Sequence, residues 1–244
     1  MPMTEHIMKA FDSDLQGLAR MISEAGGLAE KQIVDAVEAL SKFDVALAQR
    51  VVAEDAKIDA LQHQIEEGAV LILARRQPMA VDLRAIIAAL RISNDLERVG
   101  DLAKNIAKRV QPLSGGFQLQ NVMRGMQRMT DLVLGQLKDV LDSYARHDLN
   151  KAIAVWRNDE QIDAFNNSLF RELLTYMLEE PRNIGACIHL VFCVKNIERI
   201  GDHATNIAET VHYMVEGKML AEARPKSDVT SETRIPTISE RRSS

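Results

Sequence analysis

A thirteen-residue segment of the chain occurs twice and carries paired carboxylates in both copies. Residues 95–107 read DLERVGDLAKNIA and residues 196–208 read NIERIGDHATNIA, with eight identical positions. In each copy a Glu and an Asp lie four residues apart, on one face of a helix, with a Gly between them. That Gly costs about 1 kcal/mol relative to Ala inside a helix. Its retention in both copies indicates a site rather than chance.

A second acidic pair lies upstream of each copy. Pro78 is midway between the two pairs of the first half, and Pro181 is next to the midpoint in the second half. Proline breaks a helix interior, so each half is predicted to form an antiparallel helical hairpin in which equidistant residues lie at equal height. We therefore expect four carboxylates to meet in each half. The eight candidates are Asp55, Asp59, Glu97, Asp101, Asp159, Asp163, Glu198 and Asp202.

Four carboxylates at close range repel one another and need protons, arginines or a cation to coexist. Oxygen ligands suit magnesium, calcium, manganese or iron, and level pairs in both halves favour a metal site. Asn105 and Asn206 extend the same polar face and are candidates to orient the carboxylates. A metal-free alternative stays open, in which the acidic face is solvated and pairs with Arg98 and Arg199.

An enzyme of the carboxylate-bridged metal class, a hydrolase or an oxidase, is the alternative function. Di-iron enzymes use a Glu-x-x-His motif on each of two helices, whereas among the six histidines only His212 lies three residues after a Glu, Glu209. His203 follows Asp202 directly, and we expect it to pack rather than to bind metal. Nucleophilic triads and glycine-rich phosphate loops are also missing. We therefore expect a protein that is not an enzyme.

The elements that must position these residues are helices. Each half is predicted to contain a long first helix, a second helix with the Asp pair and a third helix with the Glu and Asp, and Asp44 and Asp148 are predicted to cap the second helices. The third helices carry apolar residues at a spacing of three and four. The fold class is therefore all-α, with residues 6–113 and 117–218 as the two repeats. Residues 219–244 lack periodicity and are predicted to be a disordered tail.

Composition supports this class. The chain is 46% hydrophobic but only 4% aromatic, as is common in helical bundles. A net charge of −5 argues against nucleic-acid binding. Cys187 and Cys193 are too far apart on one helix for a disulfide. With no signal peptide and no apolar span of eighteen residues, we expect a cytoplasmic protein that does not insert into a membrane.

The first predicted hairpin tip is charged and exposed, which makes it a candidate docking surface for a partner. Its candidate docking residues are Arg75, Arg76, Asp82 and Arg84. The second tip, at residues 179–183, differs enough in sequence to make the two halves unequal.

The segments at residues 75–84, 97–107 and 197–209 closely resemble the PhoU family, and the resemblance covers about residues 6–218. It implies two tandem three-helix bundles related by pseudo-twofold symmetry. It also implies multinuclear metal clusters at the eight acidic residues named above, with iron, zinc, magnesium or manganese as the metal.

The same resemblance implies a function. Members of the family act as negative regulators of high-affinity phosphate uptake and of the phosphate-starvation response. They link the Pst transporter, through a PstB-type ATPase, to a PhoR-type sensor kinase. We therefore expect a metal-binding adaptor that forms a homodimer and acts next to membrane-bound partners.

Overall fold

The computed structural model describes residues 3–76, 78–114 and 119–221, and within these ranges the chain forms helices and turns but no strand. The first repeat contains α1 (Met3–Lys42), α2 (Val45–Glu54), α3 (Ala56–Arg76), α4 (Ala80–Ala107) and the short α5 (Val110–Leu113). The second repeat contains α6 (Gln120–Arg146), α7 (Leu149–Arg157), α8 (Asp159–Glu179), a 3-10 turn (Pro181–Asn183) and α9 (Ile184–Glu216). The predicted all-α class of two three-helix bundles is confirmed.

The second helix predicted for each bundle is divided into two pieces, α2 and α3 in the first repeat and α7 and α8 in the second, and we call each pair the middle arm. The prediction of one continuous second helix was therefore wrong. α2 and α3 separate at Asp55, whose carbonyl accepts the N–H groups of both Ile58 (2.9 Å) and Asp59 (3.3 Å). α7 and α8 separate at Asn158, whose N–H is shared by two carbonyls at 3.2 and 3.1 Å. Shared bonds of this kind mark a tightened turn. The first Asp of each upstream pair therefore lies at a break in its helix.

The turn that begins each middle arm is built alike in both repeats. Phe43 and His147 adopt left-handed backbone conformations, with φ of 53° and 54°, which reverse the chain after α1 and α6. Asp44 and Asp148 follow, and each side chain accepts the backbone N–H three residues on, at 2.9 and 3.1 Å. The two helix caps predicted from the sequence are confirmed.

The predicted apolar stripes of α4 and α9 form the centre of the core, where an aliphatic face of each helix is removed from water. All of the predicted stripe residues are buried, and Val110 among them lies at the start of α5: Leu96, Val99, Ala103, Ile106, Val110, Ile197, Ile200, Ala204, Ile207 and Val211.

α4 and α9 run antiparallel to each other along the boundary between the repeats. At one end Arg84 Nε donates to the Met214 carbonyl at 3.4 Å. At the other end Arg109 Nη1 lies 3.1 Å from His189 Nδ1. This arrangement is the one that a pseudo-twofold axis between the repeats requires, and it places the two hairpin tips at opposite ends of the molecule.

The glycine inside each repeated motif allows close packing of the middle arm. A Cβ on Gly201 would lie 2.7 Å from Ile162 Cδ1. A Cβ on Gly100 would lie 3.0 Å from Gln32 Oε1 and 3.2 Å from Asp55 Oδ1. Helix packing therefore explains both glycines, and at Gly100 the packed neighbours include a predicted site residue.

Three further expectations concern the chain ends, the membrane and the thiols. Residues 219–221 have no regular secondary structure, and the rest of the predicted tail lies outside the described residues. In the described ranges no helix has the length and apolar character of a membrane span. Cys187 and Cys193 are buried and free, as predicted.

Candidate functional site

We call Asp55, Asp59, Glu97 and Asp101 the first acidic cluster. The break between α2 and α3 carries the first two residues, and α4 carries the others. Burial raises the pKa of the Asp59 carboxyl, and the charges of Asp55 and Asp101 raise it further. Burial also raises the pKa of Glu97, with added effects from Asp101 and Asp59. Neighbouring carboxylates thus add to the effect of burial at both Asp59 and Glu97.

Lys104, one turn after Asp101 in α4, reaches into this cluster. Its Nζ contacts Asp55 Oδ2 and donates to Asp101 Oδ1 at 2.5 Å. Burial acts to raise the pKa of Asp101, but the hydrogen bond from Lys104 and its charge outweigh burial and keep that pKa below its usual value. Partial burial opposes the charge on Lys104, and the two carboxylates still hold the pKa of its ammonium above the usual range. Lys104 therefore stays protonated at neutral pH.

Arg98 provides a second cation on the solvent side of the cluster. Its Nε lies 3.3 Å from Glu97 Oε2, and its Nη1 lies 3.3 Å from Asp101 Oδ2. This pairing is the one that the metal-free alternative predicts. Its contribution to stability is small because the arginine is more than half exposed and water screens such pairs.

We call Asp159, Asp163, Glu198 and Asp202 the second acidic cluster. Three of them are deeply buried, with exposed fractions of 3% for Asp159, 4% for Asp163 and 5% for Glu198. In the first acidic cluster only Asp55 is buried to this degree. The Thr205 hydroxyl donates to Asp159 Oδ1 at 3.2 Å, and Lys195 Nζ donates to Glu198 Oε1 at 2.9 Å. The second acidic cluster therefore lies deeper in its bundle.

A buried glutamine lies beside each cluster, and sequence reasoning missed both. Gln32 in α1 approaches Asp55 across Gly100, and neither polar atom of its side chain has a hydrogen-bond partner. Gln136 in α6 donates Nε2 to the Asn158 carbonyl at 3.1 Å, which leaves its Oε1 without a partner. A signal existed, because these glutamines are 104 residues apart, the same spacing as Asp55 and Asp159.

The asparagines predicted to orient the carboxylates lie elsewhere. Asn105 is exposed to solvent. Asn206 donates to Asp95 Oδ1 at 3.5 Å, and His203 Nδ1 lies 2.8 Å from the same oxygen. Asp95 belongs to α4 and the other two residues to α9, so this polar contact ties the two repeats together. His203, which we expected to pack, thus makes a polar contact between the repeats.

The donor atoms of the two acidic clusters are of a chemical type that suits a metal ion, but their arrangement suits one less well. Carboxylate and amide oxygens are ligands that magnesium, manganese and iron accept, and the unpartnered Gln32 and Gln136 oxygens add to the set. Among the described residues, however, no group of three or more His, Cys, Asp or Glu side chains is arranged to hold one metal ion. Metal binding at the eight carboxylates therefore stays a prediction.

The first hairpin tip has a more apolar surface than its sequence suggests. Arg75 is exposed, whereas Arg84 turns back to the end of α9. Asp82 lies half-buried in the first turn of α4, where a negative charge favours the helix N-terminus. Met79 and Val81 are exposed by 79% and 66%. The Arg76 side chain is outside the described part of the structure, and docking at this tip stays a prediction.

Comparisons with known proteins match the chain along both repeats. The family model described as PhoU domain matches twice, at residues 22–110 and 126–211. A phosphate-specific transport system accessory protein PhoU homolog of Rhizobium meliloti (strain 1021) is 55% identical over 226 residues, which cover 93% of this chain and 95% of that protein. The protein of the same description from Caulobacter vibrioides (strain NA1000 / CB15N) is 51% identical and covers 94% of this chain and 100% of its own length.

Solved structures agree with these sequence matches. The crystal structure of PhoU from Pseudomonas aeruginosa superimposes with a TM-score of 0.82 at 39% identity, over 85% of this chain and 100% of that chain. The phosphate transport system regulatory protein PhoU from Streptococcus pneumoniae has a TM-score of 0.81 at 29% identity, over 87% and 100%. With two matched repeats, this fold and these relatives, the chain belongs to the PhoU family.

Proposed function

We propose that the protein is an accessory protein of a phosphate-specific transport system and that it restrains phosphate uptake when phosphate is plentiful. The observation that carries this proposal is the match along nearly the whole chain to relatives that bear that description. The protein keeps the phosphate-starvation response off and acts as an adaptor rather than as an enzyme. Its partners are a PstB-type transporter ATPase and a PhoR-type sensor kinase, on the cytoplasmic side of the membrane.

Deletion of the gene tests this role. In medium rich in phosphate the deletion strain is expected to produce alkaline phosphatase constitutively, because the sensor kinase is no longer restrained. The intact gene on a plasmid should restore repression. Alkaline phosphatase that stays repressed in the deletion strain would contradict the proposal.

The first hairpin tip is the proposed docking surface. Support comes from Met79 and Val81, two large apolar side chains that are mostly exposed although exposure of such groups to water is unfavourable. Arg75 adds a positive charge at the same tip. Large apolar patches on a protein surface commonly mark interaction sites.

Replacing Met79 and Val81 with Asp tests the docking surface. We expect the double variant to fold normally, to lose copurification with the PstB-type ATPase or the PhoR-type kinase, and to leave alkaline phosphatase derepressed. Leu178→Asp is the matched control, because Leu178 is 78% exposed at the opposite tip. Equal loss of partner binding in the control would argue against a specific role of the first tip.

Metal binding is the remaining part of the proposal. The carboxylates of the acidic motifs would hold iron, zinc, magnesium or manganese and would thereby offset the charge that the buried acids bring together. Assembly as a homodimer is also proposed, and light scattering of the purified protein tests it.

A further inference from the structure

An apolar groove lies between α1 and α3, close to the first hairpin tip. Its volume is about 250 Å³, and its apolar lining comes from Gly17, Leu18, Met21, Gly68, Leu71 and Ile72. Asp14 and Arg75 add charges of opposite sign beside it. Leu71 and its neighbour Val70 are exposed by 50% and 61%, although exposure of such side chains to water is unfavourable. The groove is therefore a surface that a second apolar group would stabilise.

Two helical glycines make room for this groove. A Cβ on Gly17 would meet no atom within 4 Å, and a Cβ on Gly68 would meet only the ends of two side chains, the nearer at 3.2 Å. Each glycine costs about 1 kcal/mol relative to alanine inside a helix. At the spacing of 104 residues that relates the two repeats, the second repeat has Asn121 and Glu172 in these places. The pair of glycines is thus particular to the first repeat.

The C-terminal part of the chain begins at the same end of the molecule as the groove. A Cβ on Gly217, just after α9, would lie 3.1 Å from Arg84 Nη1 near the start of α4. The described residues end at Ala221, and residues 222–244 follow it. The chain from Ala221 to Ile235 spans about 45 Å when extended. Neighbouring helix axes lie about 8–10 Å apart, so this length is enough to reach across the bundle to the groove.

The sequence of this C-terminal part contains two aliphatic residues at a spacing that suits the groove. Residues 234–242 read RIPTISERR. Proline fixes its own φ and disfavours the helical conformation for the residue before it, so the sequence favours an extended backbone. In a polyproline-type helix, residues three apart face the same side at a distance of about 9 Å, which is the spacing of Ile235 and Ile238. On α3 the groove runs from Gly68 to Arg75, about 10 Å along the helix.

The charges beside the groove also suit this segment. Arg234 precedes the two isoleucines and Glu240 follows them, while Asp14 and Arg75 offer a partner of each sign. Exposed ion pairs contribute little, so burial of the isoleucines would supply most of the binding free energy. Weak affinity is enough, because a segment tethered to its own binding site has an effective concentration in the millimolar range.

We propose that residues 234–242 bind in the groove between α1 and α3 of the same chain and thereby limit the access of partners to the first hairpin tip. Arg75 belongs both to the groove and to the tip, so the bound segment and a docked partner would compete. The competition rests on the docking proposed above, whereas the binding of the segment does not depend on it.

Limited digestion of the purified full chain with trypsin tests the binding. The cleavage rate after Arg234 is divided by the rate after Lys226, which precedes the bound stretch. Gly17→Leu fills the groove and is expected to raise this ratio about fivefold, because cleavage follows the population of the unbound segment. Ile238→Asp should raise the ratio equally. Gly27→Leu is the matched control, since Gly27 is an exposed glycine of α1 with equally free space, and it should leave the ratio unchanged.

A circular dichroism melt shows whether the glycine variants are folded. Ile238→Asp changes no residue of the described helices, so it decides the question if Gly17→Leu is unfolded. Equal cleavage ratios in the wild-type protein and in Ile238→Asp would overturn the proposal.

Photocrosslinking locates the segment. Ser239→Cys is labelled with benzophenone maleimide while Cys187 and Cys193 stay protected by their burial, and crosslinked peptides are identified by mass spectrometry. Crosslinks are expected in α1 and α3 beside the groove. A mixture of chains with and without ¹⁵N shows whether both peptides come from one chain. Crosslinks elsewhere, or mainly between two chains, would contradict binding within the same chain.

Copurification with the PstB-type ATPase or the PhoR-type kinase tests the competition. Ile238→Asp is expected to increase the amount of bound partner at least about twofold, because a larger fraction of the protein is competent to bind. An unchanged amount, with Arg234 still protected in the wild-type protein, would refute the competition alone. Failure of docking at the first hairpin tip would be seen separately in the Met79 and Val81 variant, and the trypsin experiment needs no partner.

Discussion

At the scale of single residues, the repeats differ in a few side chains that set their charge balance. Lys104 bridges Asp55 and Asp101 in the first repeat, whereas Thr205 supplies only a hydroxyl to Asp159 in the second. Equal numbers of acids in two repeats therefore do not produce equal sites. The first acidic cluster has its lysine one turn after Asp101, whereas in the second Lys195 lies three residues before Glu198 and pairs with it.

Replacing Lys104 with Met is expected to destabilise the protein when a chelator is present. Asp55 would stay buried without its cation, and loss of one partner from a buried pair costs about 3–5 kcal/mol. A fifth of the Lys104 side chain is exposed, so we expect roughly 2 kcal/mol, or a melting temperature lower by about 5 °C. The control is Lys108→Met at an exposed lysine. A thermal melt with equal values for both variants would contradict the role of Lys104.

At the scale of elements, each middle arm begins with a strained residue and is interrupted near its first acid. Phe43 and His147 carry the left-handed turn, and the breaks at Asp55 and Asn158 shorten the first piece of the arm to ten residues in α2 and nine in α7. Such short helices are marginal by themselves. The cap and the packing against α4 or α9 therefore hold the short piece in place.

Replacing His147 with Gly is expected to stabilise the protein. His147 is exposed and ends α6 with a φ of 54°, a conformation that costs L-residues about 1–2 kcal/mol and glycine almost nothing. After the added flexibility of glycine in the unfolded chain, the free energy of unfolding should rise by roughly 0.5–1 kcal/mol. Urea titration measures it. Ala145→Gly, in the exposed last turn of the same helix, should lower it by about 1 kcal/mol.

At the scale of the whole molecule, the antiparallel α4 and α9 join the two repeats into one core. Contacts cross this boundary at both ends and in the middle, at Arg84, Asp95 and Arg109. Separation of the repeats would expose the apolar faces of both helices to water, which is unfavourable. Neither repeat is therefore expected to unfold while the other stays folded.

Calorimetry tests this coupling through a substitution confined to one repeat. Asp148→Ala removes a helix cap at a cost of about 1 kcal/mol, which for a chain of this size lowers the melting temperature by about 3 °C. We expect one heat absorption peak that moves as a whole, in the wild type and in the variant. A peak that splits, with only part of the heat shifted, would show that the repeats unfold independently.

The sequence predicts this fold well because its signals are local. The caps at Asp44 and Asp148, the turn at Pro78 and the stripes of α4 and α9 each depend on a few neighbouring residues. The breaks at Asp55 and Asn158 escaped prediction because neither position carries Pro or Gly. At the site, equal heights in a hairpin predicted that the first four acids lie close together. The reach of Lys104, the buried glutamines and the contact of His203 with Asp95 depend on side-chain packing between distant segments, which spacing does not encode.

The contact of Asp95 with His203 and Asn206 breaks the pseudo-twofold symmetry at the boundary between the two repeats. The residues that occupy the places of Asp95 and His203 in the other copy are Asn196 and Leu102. A chain built from two copies of the first half would turn a carboxylate toward leucine, and one built from two copies of the second half would offer histidine an amide instead of an acid. Each half is thus specialised to recognise the other, and neither can be duplicated to replace its neighbour.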